Sequence, residues 1–457
     1  MTQAAGDRPL FSHGYVRWLL FLLFLITTSA SMDRTILAAL GQAIKTDLRI
    51  TDLQLGMLGG LSFAVFYSIM GLPIARLADR RGRVRILAIA TAIWSAMTAL
   101  SGVASAYWQL FLCRIGVGIG ESAHVPCAHP LIADHVPRGG RGAAIALVTL
   151  GIPAGSMLGA MGGGYIAQHF HWRWAFVAAG APGLIIAALI WLTLREPPRG
   201  YSDGGAAPKE TPPFGVAMRT LLAKPSFVHV LIGSTLTVFA TNGMFQFIVP
   251  FLVRNFQLPY GKAGLLFGII SGVAAGAGTL LGGYLSDWAA KRDRRWYVWT
   301  GAVGLALACP VYLVALQQPA AVLATIAFGI GATLHFLYAS PSVAAIQTLS
   351  PANMRSSASA LVSLGTILIG SGCGPVVIGF FSDLFAGRAF TLGDYARACP
   401  GGAAPKGSAE VLTAACKAAS SQGVREAMVI AACACLWAAL HFALAARTLR
   451  RDLDAVA

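Results

Sequence analysis

The sequence predicts an all-α membrane protein with about twelve transmembrane helices in two pseudo-symmetric six-helix bundles. Three observations support this fold class. The composition is 56% hydrophobic and 11% charged, which is roughly half the charged fraction of a soluble domain. Long apolar blocks follow one another along the chain, and sequence elements of the first half recur in the second.

Each predicted helix is an apolar block of about 20 residues or more, the length that an α-helix needs to cross the hydrocarbon core. Barrel strands are about half as long and alternate strictly, so these blocks exclude a β-barrel. In chain order, the blocks lie near residues 16–39, 53–75, 84–105, 107–132, 141–168, 174–194, 226–253, 263–287, 297–316, 319–348, 356–385 and 425–446.

The distribution of positive charge predicts the topology. Of the 34 Lys and Arg residues, 22 fall on the side that holds both chain ends, 10 on the opposite side and 2 within the blocks. By the positive-inside rule, both termini are cytoplasmic. The short tails and compact loops favour a plasma (inner) membrane, with an organelle membrane as the alternative. The net charge of +16 therefore reflects topology and indicates no nucleic-acid partner. No cleavable signal is expected, since the first block is too long.

The chain divides at a polar, Pro- and Gly-rich stretch after the sixth block. We expect an N-terminal six-helix bundle over 1–194, a cytoplasmic linker over 195–224, and a C-terminal bundle over 225–457 with an extracytoplasmic loop at 386–424. The halves share a repeat at an offset of 214, because Pro137, Arg141 and Gly151 recur as Pro351, Arg355 and Gly365. Paired six-helix repeats are typical of secondary transporters.

Four charges interrupt the apolar blocks: Asp33 and Arg34 in the first, Arg114 and Glu121 in the fourth. An ion at bilayer depth costs at least ~2.5 kcal/mol on insertion scales, so it normally faces a protein interior or a wet cavity and indicates a substrate or ion path. A static ion pair that only fixes helix register is the structural alternative.

The spacing of these charges suggests a proton switch. Arg114 and Glu121 are seven residues apart, which places them on nearly one helix face about 10 Å apart along the axis. Asp33 must approach from another helix. Movement of a guanidinium relative to a carboxylate changes the proton affinity of the carboxylate. We expect Asp33 and Glu121 to exchange protons, while Arg114 neutralises them or binds an anionic head group; for Arg34, gating and anchoring roles both stay open.

The loop after the second block, GLPIARLADRRGRVR, resembles the D-R-x-G-R signature of the major facilitator superfamily, and the two-half layout extends the resemblance over essentially the whole chain. The matching residues are Asp79, Arg80, Gly82 and Arg83. The glycine expected four residues earlier is Ala75. The resemblance implies the major facilitator fold and a cytoplasmic gate, in which Arg83 pairs with a carboxylate such as Asp134. A simple positive-inside anchor is the alternative.

A narrower resemblance comes from SMDRT in the first block and R-x-x-x-G-x-G-E in the fourth. These motifs are similar to the Spinster family, whose members move lysophospholipids or phosphorylated sphingoid bases, in several cases with proton coupling. The resemblance makes Asp33, Arg114 and Glu121 the functional positions.

Remaining motifs are few. Cys399 and Cys416 in the 386–424 loop are a candidate disulfide, with two unpaired thiols as the alternative. No cysteine spacing indicates a metal site. Nucleotide-binding and hydrolase motifs are lacking, so the sequence gives no support for an enzyme. Histidines are interpreted as satisfied polar residues.

Together these observations predict a proton-coupled secondary active transporter of an amphipathic anion, a lysophospholipid or related lipid, working by alternating access. A small organic anion, a sugar phosphate or a drug is the alternative cargo. A non-transporting membrane receptor is the alternative of another class. No cofactor is expected beyond the coupling proton, for which sodium is the alternative. Membrane lipids are the expected partners, with no obligate protein partner.

Overall fold

The computed structural model describes residues 11–197 and 212–454, and over these ranges it is helical without a strand. The middle of the predicted linker, 198–211, lies outside the described residues. Twelve spans run between two faces of the described chain. The chain-end face holds residues 13 and 454, and the far face is opposite.

Spans 1 to 6 form the first half. Their helices are His13–Leu48 in span 1, Asp52–Gly59 and Leu61–Arg80 in span 2, Arg83–Ser101 in span 3, Tyr107–Glu121 and His124–His135 in span 4, Arg141–Thr149 and Gly151–His169 in span 5, and Trp172–Thr193 in span 6.

Spans 7 to 12 form the second half. Their helices are Pro225–Phe256 in span 7, Tyr260–Gly268, the π-helical Ile269–Ala274 and Ala275–Ala290 in span 8, Trp296–Gln317 in span 9, Ala321–Phe336 and Ala339–Leu349 in span 10, Arg355–Leu364, the π-helical Gly365–Ser371 and Gly372–Ala389 in span 11, and Glu410–Asp454 in span 12. Short helices lie outside the spans at Arg138–Gly140, Phe214–Leu222, Ala352–Met354, Tyr395–Ala398 and Pro400–Gly402.

Spans 4 and 10 are broken at corresponding places, and proline explains both breaks. In the described chain, 11 helices are long and apolar enough to cross a membrane. Span 4 is not among them; its two pieces have 15 and 12 residues and carry Arg114 and Glu121. Proline lacks the N–H that would bond to the carbonyl four residues earlier. Pro126 therefore frees the carbonyl of Ser122, and Pro341 that of Leu337, where the helices stop.

The two halves pack most closely toward the far face, where glycines let helix backbones touch. A Cβ on Gly60 of span 2 would lie 2.5 Å from the carbonyl oxygen of Gly372 in span 11. Likewise, Gly164 of span 5 would meet the backbone of Gly264 in span 8. Small residues at such crossings are the usual means of close helix packing in membranes.

Hydrogen bonds between the halves lie at the same face. Among the described residues they join spans 1 and 2 to spans 7 and 11, and span 5 to the start of span 8. Toward the chain-end face, the hydrogen bonds made by Trp18, Arg83, Val84 and Ser226 each stay within one half. The hydrogen bonds that join the two halves of the described chain therefore lie at the far face.

Candidate functional site

Four charged side chains meet between spans 1 and 4, and we name them the mid-depth ion pairs. Asp33 and Arg34 are consecutive in span 1, while Arg114 and Glu121 lie two turns apart in span 4. The pairing is crossed: Arg114 Nη1 lies 3.2 Å from Asp33 Oδ1, and Arg34 Nη2 lies 2.9 Å from Glu121 Oε2. The structure thus brings together the four charges that interrupt the apolar sequence.

The pair of Asp33 and Arg114 is closed to solvent. Both side chains are at most 3% exposed. Thr98 of span 3 donates its hydroxyl to Asp33 Oδ2 at 2.7 Å, so both carboxylate oxygens have a partner. Arg114 keeps one unsatisfied group, its Nε. In this conformation the Arg114 guanidinium is occupied by Asp33 and is not open to an anion.

The pair of Glu121 and Arg34 is asymmetric. Glu121 is fully buried, whereas 49% of the Arg34 side chain is exposed. Although the charges are close, neither carboxylate oxygen of Glu121 makes a hydrogen bond of good geometry. Arg34 contacts two buried residues, Glu121 and Phe63, while about half of its own side chain stays exposed.

Phe63 of span 2 links the two pairs. Its ring centroid lies 5.4 Å from the guanidinium carbon of Arg34 and 5.7 Å from that of Arg114. Tyr67, one turn further, has its ring 5.3 Å from that of Phe63. An aromatic face attracts a cation while offering apolar surface. Sequence reasoning missed Phe63 and Thr98, because nothing distinguishes one aromatic or hydroxyl side chain among many in apolar blocks.

The predicted cytoplasmic gate is partly described. Arg83 Nη1 lies 2.5 Å from Asp134 Oδ2, which joins spans 3 and 4 within the first half. Arg80 is exposed, and Gly82 immediately precedes span 3. The side chain of Asp79 lies outside what the structure describes. The described contacts of these residues therefore join helices of the first half at the chain-end face.

Glu196, three residues after span 6, contacts the predicted gate and was missed by the sequence analysis. Its carboxylate accepts the backbone N–H groups of Arg83 and Val84, each at 2.8 Å. A carboxylate at a helix N-terminus satisfies free N–H groups and complements the helix dipole. Glu196 therefore fixes the start of the linker to the first turn of span 3.

A second charged cluster, the far-face latch, joins the halves and was also missed. Asp52 at the start of span 2 receives two hydrogen bonds of 2.7 Å from Arg254 at the end of span 7. Lys45 Nζ lies 2.8 Å from the same carboxylate, and Ser382 donates to it at 2.7 Å. Asp383 accepts the backbone N–H groups at the start of span 2. In the sequence these residues look like ordinary charges at helix ends.

The candidate disulfide residues are bonded in the structure. Cys399 and Cys416 form a disulfide with Cα atoms 5.6 Å apart. Both are buried in a small apolar cluster with Phe390 and Ala419. The disulfide joins the loop after span 11 to the beginning of span 12.

The second half has no charged counterpart of the mid-depth ion pairs in the part of the chain described. The repeat offset places His335 opposite Glu121, and His335 is buried and hydrogen-bonded to Thr241 at 2.6 Å. It fits the interpretation of a satisfied polar histidine. Asn242, near the position corresponding to Asp33, donates to its own helix at Val238.

Comparison with known proteins identifies the family. The sequence profile of the Major Facilitator Superfamily matches residues 22–375. The chain belongs to this superfamily. A solved bacterial homologue of the human lysosomal transporter Spinster, in an inward-facing and unoccupied conformation, superposes with a TM-score of 0.87 at 31% identity, over 97% of this chain and 99% of that one. Its inward-facing and occupied form gives a TM-score of 0.85.

Curated relatives agree within the superfamily. An "MFS-type efflux pump" of Mycolicibacterium smegmatis is 32% identical over 79% of this chain and 83% of its own length. The "Sphingosine-1-phosphate transporter SPNS2" of Danio rerio is 29% identical over 77% of this chain and 73% of its own. "Protein spinster homolog 1" of Xenopus tropicalis is 28% identical over 80% and 72%, respectively. The chain is thus a major facilitator transporter of Spinster type, as its motifs predicted, and not an enzyme.

Proposed function

We propose that this transporter couples proton movement to the transport of an amphipathic anion, a lysophospholipid or related lipid, by alternating access. One observation carries the proposal. Glu121 is a fully buried carboxylate without a well-formed hydrogen bond, and its partner Arg34 is about half exposed. A buried carboxylate that loses its cation becomes the better place for a proton.

Proton and anion binding are coupled through Arg34. An anionic head group competes with Glu121 for the guanidinium, and a phosphate can take two hydrogen bonds from it. When Arg34 turns to the head group, Glu121 takes up a proton and stays buried as a neutral acid. Loss of that proton restores the carboxylate, which recaptures Arg34 and expels the anion.

The Asp33 pair has a different part in this cycle. Asp33, Arg114 and Thr98 hold spans 1, 3 and 4 in register around the exchanging pair. The head-group role expected for Arg114 moves to Arg34 in this conformation, because Arg114 is enclosed. Asp33 becomes a second proton site once Arg114 leaves it.

An amphipathic cargo fits the surroundings of Arg34. The rings of Phe63 and Tyr67 lie beside the open guanidinium, so an acyl chain finds apolar surface next to the charge. The Danio rerio relative is named as a transporter of sphingosine-1-phosphate, which has a phosphate group on a single long chain. In the proposed orientation, the chain-end face is cytoplasmic in a plasma membrane, and the described state is open to the cytoplasm.

The proposal is tested by uptake of a labelled lysophospholipid into proteoliposomes under an imposed pH gradient. We expect wild-type flux to follow the polarity of the gradient and Glu121→Gln to lose that response while still exchanging substrate across the membrane. Glu410→Gln, at an exposed far-face carboxylate, is the matched control. Wild-type coupling in Glu121→Gln contradicts the proposal, and replacement of sodium by potassium separates the two coupling ions.

Arg34 is tested by substrate affinity. Arg34→Gln removes a charge-assisted bidentate contact, which corresponds to a loss on the order of tenfold or more in affinity. Arg17→Gln, an exposed position nearer the chain-end face of the same span, is the control. Equal affinity in Arg34→Gln and Arg17→Gln removes the head-group role from Arg34.

A second candidate cargo is a drug or small organic anion. The relative from Mycolicibacterium smegmatis is named as an efflux pump, which favours this alternative. A thermal-shift panel separates the cargoes: lysophospholipids alone stabilise the protein if the lipid proposal is right, and water-soluble anions or drugs do so if it is wrong. Binding of a substrate that is not accompanied by substrate counterflow in proteoliposomes would support the alternative of a non-transporting receptor.

A further inference from the structure

The far face carries a cavity of about 550 Å³ beside the latch. Residues of both halves and of the disulfide-bonded loop line this far-face cavity. They include Lys45 and Arg49 at the end of span 1, Asp383 and Arg388 at the end of span 11, and Asp394 and Gly401 in the loop. The cavity lies at the same face as the hydrogen bonds that join the two halves.

The two acids that line the cavity are already compensated. Asp383 accepts two backbone N–H groups at the start of span 2, at 3.0 and 2.8 Å, and has Lys45 Nζ 4.0 Å away. Asp394 accepts the backbone N–H of Ala396 at 2.9 Å and pairs with Arg397 at 3.6 Å. Neither carboxylate is free to neutralise a further cation.

Two arginines that line the cavity have no such compensation. Lys45 and Arg254 are balanced by the two latch carboxylates, Asp52 and Asp383. Arg49 and Arg388 are exposed, and neither makes a hydrogen bond or ion pair with another described residue. The Arg388 guanidinium lies 5.9 Å from the centroid of the Phe385 ring. With the latch charges balanced, Arg49 and Arg388 leave the cavity positive. Unpaired guanidinium groups with a shared concave surface favour an anion, above all a carboxylate or phosphate.

The loop makes the cavity a preformed one. Gly401 and Gly402 have φ values of +69° and +82°, a conformation that glycine adopts without cost. A Cβ on Gly401 would lie 2.8 Å from the Cα of Arg49, so the loop backbone rests directly on the end of span 1. The disulfide of Cys399 and Cys416 fixes this loop to span 12. A preformed site loses little entropy on binding.

We infer that the far-face cavity is a second anion site, distinct from the mid-depth ion pairs, which binds a phosphate group between Arg49 and Arg388. Arg49 belongs to the first half and Arg388 to the second. A phosphate bound to both therefore connects the halves at the face where they must part for the transporter to open outward. The site binds free phosphate or the phosphate of a lipid head group in the adjacent leaflet, and its occupancy favours the state closed at this face.

The test uses the purified full-length chain in detergent, titrated with inorganic phosphate at constant ionic strength against chloride. We expect saturable stabilisation in thermal unfolding, with an affinity reduced on the order of tenfold in Arg49→Asn and in Arg388→Gln. Asparagine suits the left-handed backbone of Arg49, φ 52°, so this variant should fold. Lys417→Ala, which removes one exposed far-face charge outside the cavity, is the control and should match wild type.

Nanodiscs distinguish the two sources of phosphate. If the lipid supplies the group, phosphatidylglycerol discs stabilise wild type over Arg49→Asn, and added phosphate has little further effect. If free phosphate is the ligand, stabilisation is the same in discs of either charge. No saturable effect of either source, or equal effects in wild type and both arginine variants, overturns the inference. The assay measures binding alone, so its outcome is independent of proton-coupled transport.

Discussion

Two charged clusters of this transporter contain the same kinds of residue but differ in how completely their charges are satisfied. The far-face latch surrounds Asp52 with Arg254, Lys45 and Ser382, all within 2.8 Å. The mid-depth ion pairs leave Glu121 without a well-aligned hydrogen bond and Arg34 half exposed. The latch crosses between halves, whereas the mid-depth pairs lie inside the first half.

We infer from this difference that the far-face latch stabilises the packing of the two halves, whereas the mid-depth ion pairs are able to rearrange. A saturated buried ion cluster strongly resists removal of one member, because the remaining charges lose their partners. An incompletely satisfied pair costs less to rearrange, and rearrangement is what a coupling site needs. We therefore expect substitutions in the latch to act on stability, and substitutions at Glu121 to act on coupling.

The largest effect on stability is expected for Asp52→Asn. It leaves the buried cations Lys45 and Arg254 without their shared carboxylate, and breaking a buried pair in this way costs about 3–5 kcal/mol. Thermal and denaturant unfolding in detergent measure the loss. Asp47→Asn, at a partly exposed far-face pair with Arg173, should lose less than about 1 kcal/mol. Equal losses in both variants would show that the latch is not the saturated cluster described here.

Asp33→Asn should have the next largest effect, about 3 kcal/mol. Arg114 stays buried without a counter-charge, while the amide oxygen can keep the hydrogen bond from Thr98. The double variant Asp33→Asn with Arg114→Leu should recover part of the stability, because no lone buried cation remains. A double variant less stable than Asp33→Asn alone contradicts this explanation.

Glu121→Gln should change stability by less than about 1 kcal/mol, because its partner Arg34 is about half exposed and stays hydrated when the opposite charge is lost. The neutral amide removes a poorly satisfied buried charge, although Arg34 loses its partner. Gradient-driven flux should nevertheless fall about 100-fold, the usual scale for losing a positioned proton carrier. A large loss of stability with coupling intact would reverse the comparison between the clusters.

The smallest effect is expected at Asp293, between spans 8 and 9 on the chain-end face. Hydrogen bonds from the backbone and side chain of Arg295, joined by Arg450, hold the Asp293 pKa below its ordinary value. A lowered carboxylate pKa gives stability at neutral pH that is lost as pH falls through the folded-state pKa. Unfolding of Asp293→Asn between pH 7 and 3 should show a slightly weaker pH dependence than wild type. Identical pH profiles for wild type and Asp293→Asn would show that Asp293 does not contribute to the pH dependence of stability.

Much of the fold was predictable from the sequence, since apolar length determines the spans. The twelve blocks match the twelve spans in order. The charges at bilayer depth drew attention to Asp33, Arg34, Arg114 and Glu121, which the structure brings together as two ion pairs. Prolines explain the breaks in spans 4 and 10 only after the structure is known, because other prolines, such as Pro182, lie inside continuous helices.

Other parts of the site could not be predicted, because they depend on contacts between distant segments. The crossed pairing of Asp33 with Arg114 follows from the rotation of span 1 against span 4, which spacing within one helix does not determine. Glu196 and Asp52 stand at helix ends, where sequence patterns give charged residues many ordinary reasons to occur. Thr98 and Phe63 contribute to the site only because the fold places them beside the charges, which their residue types do not reveal.

Proton uptake on substrate binding tests the central claim most directly. A lysophospholipid is mixed with the purified protein in weakly buffered solution containing a pH indicator. If the head group takes Arg34 from Glu121, wild type should take up about one proton per substrate bound, and Glu121→Gln should bind substrate without proton uptake. Substrate binding to wild type with no change in bound protons, or the same uptake in Glu121→Gln, would contradict the account.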